Sequence, residues 1–173
     1  KREVRIQILA DLELPKNGVI WDIGAGCGSI GLEALKLMPN LNLFCIDKRI
    51  GSKELILENA ERLGVKPKFI FEEDINVTLN TKNFSSFEKP NRLVIGGCDK
   101  KTKLQIINKL SESMSIGDII VIPIIDLQSI EELKEELEDK NFKTNLNLIQ
   151  TYKSLSISEG IRLEPNNPVF LLK

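Results

Sequence analysis

An apolar run ends abruptly in a cluster of glycines: Val19-Ile20-Trp21-Asp22-Ile23 stops at Gly24-Ala25-Gly26-Cys27-Gly28. Ser29 to Met38 then carries Ile30, Ala34, Leu35 and Met38 at helical spacing, closed by Pro39. A run without polar alternation suits a strand covered on both faces, and strand, tight turn and helix in succession open a βαβ unit. This commits the chain to the α/β class. With 173 residues and 42% hydrophobic content, it can fill one core but not two ordinary ones, so residues 1–173 are expected to form a single domain.

The alternation continues downstream. Lys1 to Leu12 reads as an amphipathic helix, with residues 1–14 as an N-terminal helical segment. Leu43 to Ile46 reads as a second strand, Ser52 to Leu63 as a helix ended by Gly64, Lys68 to Phe71 as a third strand and Arg92 to Ile95 as a fourth. A helix from Lys101 to Met114, a strand from Ile119 to Ile125 and a helix opened by a Ser129-x-x-Glu132 capping box follow. Asn76 to Pro90 reads as a surface loop. Lys143 to Thr151 and Val169 to Leu172 read as a closing antiparallel pair, joined by a long loop over residues 152–168. The expected architecture is a Rossmann-like, doubly wound, mostly parallel sheet of seven strands with a terminal antiparallel hairpin. Its ligands would gather beyond the carboxyl ends of the strands.

Composition removes several chemistries. The chain has no histidine, so no imidazole base, Ser-His-Asp apparatus or His-ligated metal can be built, and no metal is expected. Cys27, Cys45 and Cys98 lie far apart without CxxC spacing, which suits packed free thiols in a reducing cytoplasm. Twenty-four Lys and Arg against 25 Asp and Glu give a net charge of −1, no bulk case for nucleic acid or membrane. No apolar run approaches the length of a membrane span. The start at Lys1 rather than Met reads as a segment cut from a longer chain. Trp21, inside the first strand, is expected in the core.

The glycine bend therefore carries the functional signal. Glycines at alternate positions leave no Cβ between the backbone and a ligand lying across it. Asp47, 23 residues after Gly24 at the end of the second strand, stands where a carboxylate accepts both hydroxyls of a ribose. Asp74, beyond the third strand, reaches the same rim. Gly26-Cys27-Gly28-Ser29-Ile30-Gly31 also matches the dinucleotide pattern GxGxxG, but Asp22 ahead of the bend sets a carboxylate where a pyrophosphate would lie. The acid favours a cationic nucleoside, and S-adenosylmethionine carries an ammonium and a sulfonium. A bland alternative remains: a tight turn flanked by solvated acids.

Asp22, Gly24, Gly26, Gly28, Asp47 and Asp74 together resemble the class I S-adenosylmethionine-dependent methyltransferases. Within them the chain is similar to the decarboxylating precorrin methyltransferases of cobalamin biosynthesis, found alone or as the carboxyl-terminal half of a bifunctional precorrin-6Y C(5,15)-methyltransferase. The likeness rests on Lys1 to Arg5, Trp21 to Ser29, Glu58-Asn59-Ala60, Ile95-Gly96-Gly97 and Asn167-Pro168-Val169. It implies a donor site formed by Asp22, Gly24, Ala25, Gly26, Gly28, Ser29, Asp47, Lys48, Asp74 and Ile75, with Gly96 and Gly97 lining the transfer site. It also implies a homotetramer with the late loop at the interface. The family usually continues with small residues after the glycine pair, and Cys98-Asp99-Lys100-Lys101 departs from that. A precorrin is a polycarboxylate, so a basic mouth is expected from Arg2, Arg5, Lys48, Arg49, Lys100, Lys101 and Arg162. No general acid or base is assigned. A class I methyltransferase of another small molecule, or a non-catalytic nucleotide-binding module, would share the glycine bend.

Overall fold

A computed structural model describes residues 1–82 and 84–173. Seven strands form one sheet in the order β3-β2-β1-β4-β5-β9-β6. The parallel part comprises β1 (Gly18–Ile23), β2 (Leu41–Ile46), β3 (Phe69–Phe71), β4 (Arg92–Ile95) and β5 (Ile119–Ile124). Antiparallel to it, β9 (Val169–Leu172) inserts between β5 and β6 (Leu146–Ile149). The chain therefore runs outward in both directions from β1, which opens a crevice between the carboxyl ends of β1 and β4.

Helices cover both faces. On one lie α1 (Arg2–Asp11), α2 (Ser29–Leu37) and α3 (Ser52–Leu63), whose Ile8, Leu32, Leu35 and Ile56 pack with Ile20, Leu43 and Val94 of the strands. On the other lie α4 (Ile75–Asn80), α5 (Lys100–Ser111) and α6 (Ile130–Asp139), whose Leu79, Ile106, Ile107 and Leu133 pack with Trp21, Ile23 and Phe44. Strand side chains alternate between the faces, so Ile20 and Asp22 point toward α2 while Trp21 and Ile23 point toward α5. Trp21 is a core residue, stacked on Phe44 at 5.2 Å, with its indole N–H donating to the Glu88 carbonyl at 3.1 Å.

Three expectations need correction. The stretch read as a loop over 152–168 holds a two-stranded antiparallel hairpin, β7 (Tyr152–Ile157) and β8 (Gly160–Pro165), turned through Ser158-Glu159. Its polar Lys, Ser and Glu residues mask the alternation of Leu155, Ile157, Ile161 and Leu163. The stretch read as a loop over 76–90 begins inside α4, because Ile75, Thr78 and Leu79 are buried against the sheet; Asn83 lies outside the described residues. Ser129 makes no side-chain cap. Asp126 instead accepts the Ser129 N–H at 2.9 Å, closing a short 3-10 turn ahead of α6.

Candidate functional site

A cleft of about 340 Å³ opens at the crevice and draws on four strand ends. Ile23 and Gly24 come from β1; Ile46, Asp47, Lys48 and Arg49 from β2 and its exit; Glu73, Asp74 and Ile75 from the segment after β3; Gly97, Cys98, Asp99 and Thr102 from the turn after β4 into α5. The volume falls within the range of small-molecule sites, about 300–1,000 Å³.

Close backbone approach shapes the crevice. Gly24, at φ +71°, leads the chain over the end of β4, and a Cβ placed on it would lie 2.2 Å from the Gly96 carbonyl oxygen. No side chain is accommodated there, since the obstacle is main chain. The bend is pinned on both sides: Gly24 N–H donates to the Ile46 carbonyl at 2.8 Å, and the Asn59 side-chain amide donates to the Cys27 carbonyl at 3.0 Å. The Glu58-Asn59-Ala60 segment of the resemblance thus has a physical role in holding the glycine bend against α3.

Asp47 is the most heavily engaged side chain in the cleft. Its Oδ1 accepts from the Arg49 backbone N–H at 2.9 Å and from Arg49 Nε at 3.0 Å. Its Oδ2 accepts from the Gly26 N–H at 2.6 Å and from Arg49 Nη2 at 3.4 Å. Partial burial pushes the Asp47 carboxyl up, but the Arg49 N–H, the guanidinium and the Gly26 N–H outweigh it and hold the group below the usual carboxylate range. Asp74 and Asp99 play a second role as N-caps, accepting from Asn76 N–H and Thr102 N–H at 2.9 Å each. The Cys98 thiol is raised by burial above its ordinary value, the opposite of an activated nucleophile.

Of the residues expected to bind the donor, Gly24, Asp47, Lys48, Asp74 and Ile75 line the cleft. Gly26 meets it through Asp47 and Arg49. Ala25, Gly28 and Ser29 do not line it; the open side of Gly28 faces Leu32 and Ile56. Asp22 does not line it either. It is 1% exposed beneath the bend, where its carboxylate accepts the Gly31 N–H of α2 at 2.9 Å. Burial raises its pKa to about 6, the Gly31 bond opposing and the Asp47 charge adding. Gly97 lines the cleft, while Gly96 sits behind it against Gly24.

The expected basic mouth divides. Lys48 and Arg49 reach the cleft. Arg5 is ion-paired with Glu33, Lys100 with Glu132, and Arg162 lies on β8 at 4.0 Å from Glu164. Arg2 and Lys101 are exposed outside the lining. Glu73, Asp99 and Thr102 were not anticipated; the only signal for the last two is their position after the glycine pair, which a strand-end reading would have included.

The whole chain, residues 1–173, matches the family model described as a precorrin methyltransferase domain. The chain belongs to the precorrin methyltransferase domain family. A relative in Saccharolobus solfataricus, named "Probable cobalt-precorrin-6B C(15)-methyltransferase (decarboxylating)", is 31% identical over 99% of this chain and 85% of its own. Among solved structures, precorrin-6Y C5,15-methyltransferase from Geobacter metallireducens superposes with a TM-score of 0.84 at 26% identity, covering 99% of this chain and 86% of that one. The precorrin 8w decarboxylase of Methanobacterium thermoautotrophicum shares the fold at TM-score 0.83 and 24% identity, over 98% and 88% of the two chains.

A precorrin methyltransferase domain calls for a methyl donor, and the cleft can be tested against one. Four carboxylates, Asp47, Glu73, Asp74 and Asp99, face two cations, Lys48 and Arg49, so the lining is net acidic. An acidic, partly enclosed lining concentrates a cationic ligand and disfavours a pyrophosphate. Ile23, Ile46 and Ile75 supply apolar surface for a base, and the bare bend at Gly24 lets a ligand lie against main chain. These residues fit an adenosyl group carrying a positive charge.

Proposed function

We propose that this chain is a decarboxylating precorrin C-methyltransferase using S-adenosylmethionine, methylating a meso carbon of the tetrapyrrole with loss of carbon dioxide from an acetate arm. The observation that carries the reading is the placement of Asp47 beside the bare Gly24–Gly26 bend in a net acidic cleft, within a chain that matches the family from end to end.

S-adenosylmethionine, when bound, supplies an electrophilic methyl group on a sulfonium. Asp47 would accept the ribose hydroxyls, Ile75 would cover the adenine with Asp74 beside it, and the Gly24–Gly26 main chain would meet the amino-acid end. Gly97 and the main chain behind it at Gly96 would face the acceptor carbon. Holding two reactants in line and excluding water supplies roughly 7–11 kcal/mol of such a barrier, so the absence of histidine is no obstacle. An electron-rich macrocycle carbon needs no base to activate it, and the macrocycle takes up the electrons released with carbon dioxide. Lys48, exposed at the rim with Arg49, is the cation best placed for a substrate carboxylate.

We further read residues 1–173 as one catalytic domain of a cytoplasmic homotetramer. Its three free cysteines suit a reducing compartment, and the β7–β8 hairpin presents exposed Tyr152, Ile157, Ile161 and Leu163 for burial between copies. No helix among the described residues is long and apolar enough to cross a membrane.

The test is incubation with a late precorrin and methyl-labelled donor, following label in the tetrapyrrole and released carbon dioxide together. The expected result is both. Label without carbon dioxide would reduce the reading to a methyltransferase of another kind, and neither product would remove it. Calorimetry with S-adenosylhomocysteine against NAD separates the donor from a dinucleotide.

A further inference from the structure

A carboxylate offers about four lone-pair positions. At Asp47 all four are taken: two by the backbone N–H groups of Gly26 and Arg49, and two by Nε and Nη2 of the Arg49 side chain. The backbone donors are fixed by the bend and by the β2 exit. A ribose diol donating two hydroxyl protons to this carboxylate can therefore find room only where the guanidinium now sits. A second observation places the same group in the same space. A Cβ on Gly26 would lie 2.9 Å from Arg49 Nη2, so the guanidinium covers the bare face of the glycine bend. The Arg49 side chain is 64% exposed, and its one ion pair among the described residues is with Asp47.

We infer that Arg49 is a built-in occupant of the ribose position, a guanidinium that the donor nucleoside must exchange for its own diol in order to bind. This rests on the reading of Asp47 as the ribose acceptor. The exchange keeps the Asp47 carboxylate satisfied in both states, and it sets a threshold: a ligand without two adjacent hydroxyls cannot replace the paired N–H donors of the fork. Arg49 thereby acts as a specificity-determining and positioning residue.

The experiment is calorimetric titration of S-adenosylhomocysteine into the parent, Arg49→Met and Arg49→Lys, each at 0.05 M and about 0.5 M sodium chloride. Screening weakens an exposed ion pair over that range. Arg49→Met should bind about three- to tenfold more tightly than the parent at low salt, with the gap narrowing at high salt. Arg49→Lys, which keeps the charge without the fork, should fall between them. A crystal grown with S-adenosylhomocysteine should show ribose hydroxyls on Asp47 and the guanidinium displaced. Equal or weaker binding by Arg49→Met, or a guanidinium still on Asp47 with the ligand present, overturns the inference while leaving the donor reading intact. If parent and Arg49→Met both fail to bind, the donor reading falls and the inference falls with it.

Discussion

Asp47 and Asp22 are two carboxylates about one strand apart, and their surroundings drive them in opposite directions. Four hydrogen bonds hold Asp47 ionised, whereas Asp22 lies in the core with a single N–H from Gly31 and a pKa near 6. Both stood out in the sequence, yet only one faces the cleft. For Asp47, removal of the carboxylate in Asp47→Ala should weaken S-adenosylhomocysteine at least tenfold by calorimetry, as expected when charge-assisted hydrogen bonds are lost. For Asp22 the consequence concerns stability. A carboxyl raised from about 3.8 to about 6 by folding stabilises the fold fully below pH 4, and that contribution disappears as pH rises through 6. The difference amounts to about 3 kcal/mol. Asp22→Asn, which keeps an acceptor for Gly31 but cannot ionise, should therefore gain stability relative to the parent between pH 4.5 and pH 7.5. Thermal melts of the two proteins across that range would show it; a gap that does not change with pH would contradict it.

At the scale of elements, α2 and the bend before it are positioned by contacts that propensity alone would misjudge. Gly31 sits inside α2, where alanine normally favours a helix by about 1 kcal/mol. Here a Cβ would lie 2.6 Å from Leu43 Cδ1 and 3.1 Å from the Asp22 carboxylate, so overpacking prevails. Gly31→Ala should cost roughly 1–3 kcal/mol by chemical denaturation rather than stabilise. Asn59→Ala, which frees the Cys27 carbonyl from α3, should lower S-adenosylhomocysteine affinity several-fold with a comparable loss of stability, on the order of 1 kcal/mol. The β1 run does not separate the two roles of the acids. A strand buried on both faces has no polar alternation, so nothing in Val19 to Ile23 marks Asp22 as turned under α2. Capping departs from the sequence pattern for a related reason: the Ser129-x-x-Glu132 pattern is present, but Asp126 accepts the Ser129 N–H and closes a 3-10 turn ahead of α6.

At the scale of the whole molecule, the sheet gathers residues from four strand ends into one cleft, while the β7–β8 hairpin stands apart as its own two-stranded sheet. The hairpin's outward Ile161 and Leu163 are 72% and 66% exposed, more than a lone two-stranded unit sustains comfortably in water. With the hairpin at the proposed subunit interface, replacing both by Glu should give a monomer in light scattering where the parent gives the proposed tetramer, while leaving S-adenosylhomocysteine affinity unchanged; equal masses for the two proteins would remove the hairpin from the proposed interface. The sequence alone determined the βαβ alternation, the glycine bend, the carboxylate at the end of β2 and the exclusion of imidazole chemistry, because these follow from local periodicity, turn stereochemistry and composition. Only the tertiary structure decided that Asp22 lies under the bend, that Glu73, Asp99 and Thr102 join the cleft, and that Arg49 folds back onto Asp47 while Lys100 is drawn to Glu132. Which side chains share a space depends on strand order and on competing partners brought from distant parts of the chain, and neither is written in the spacing of residues along it.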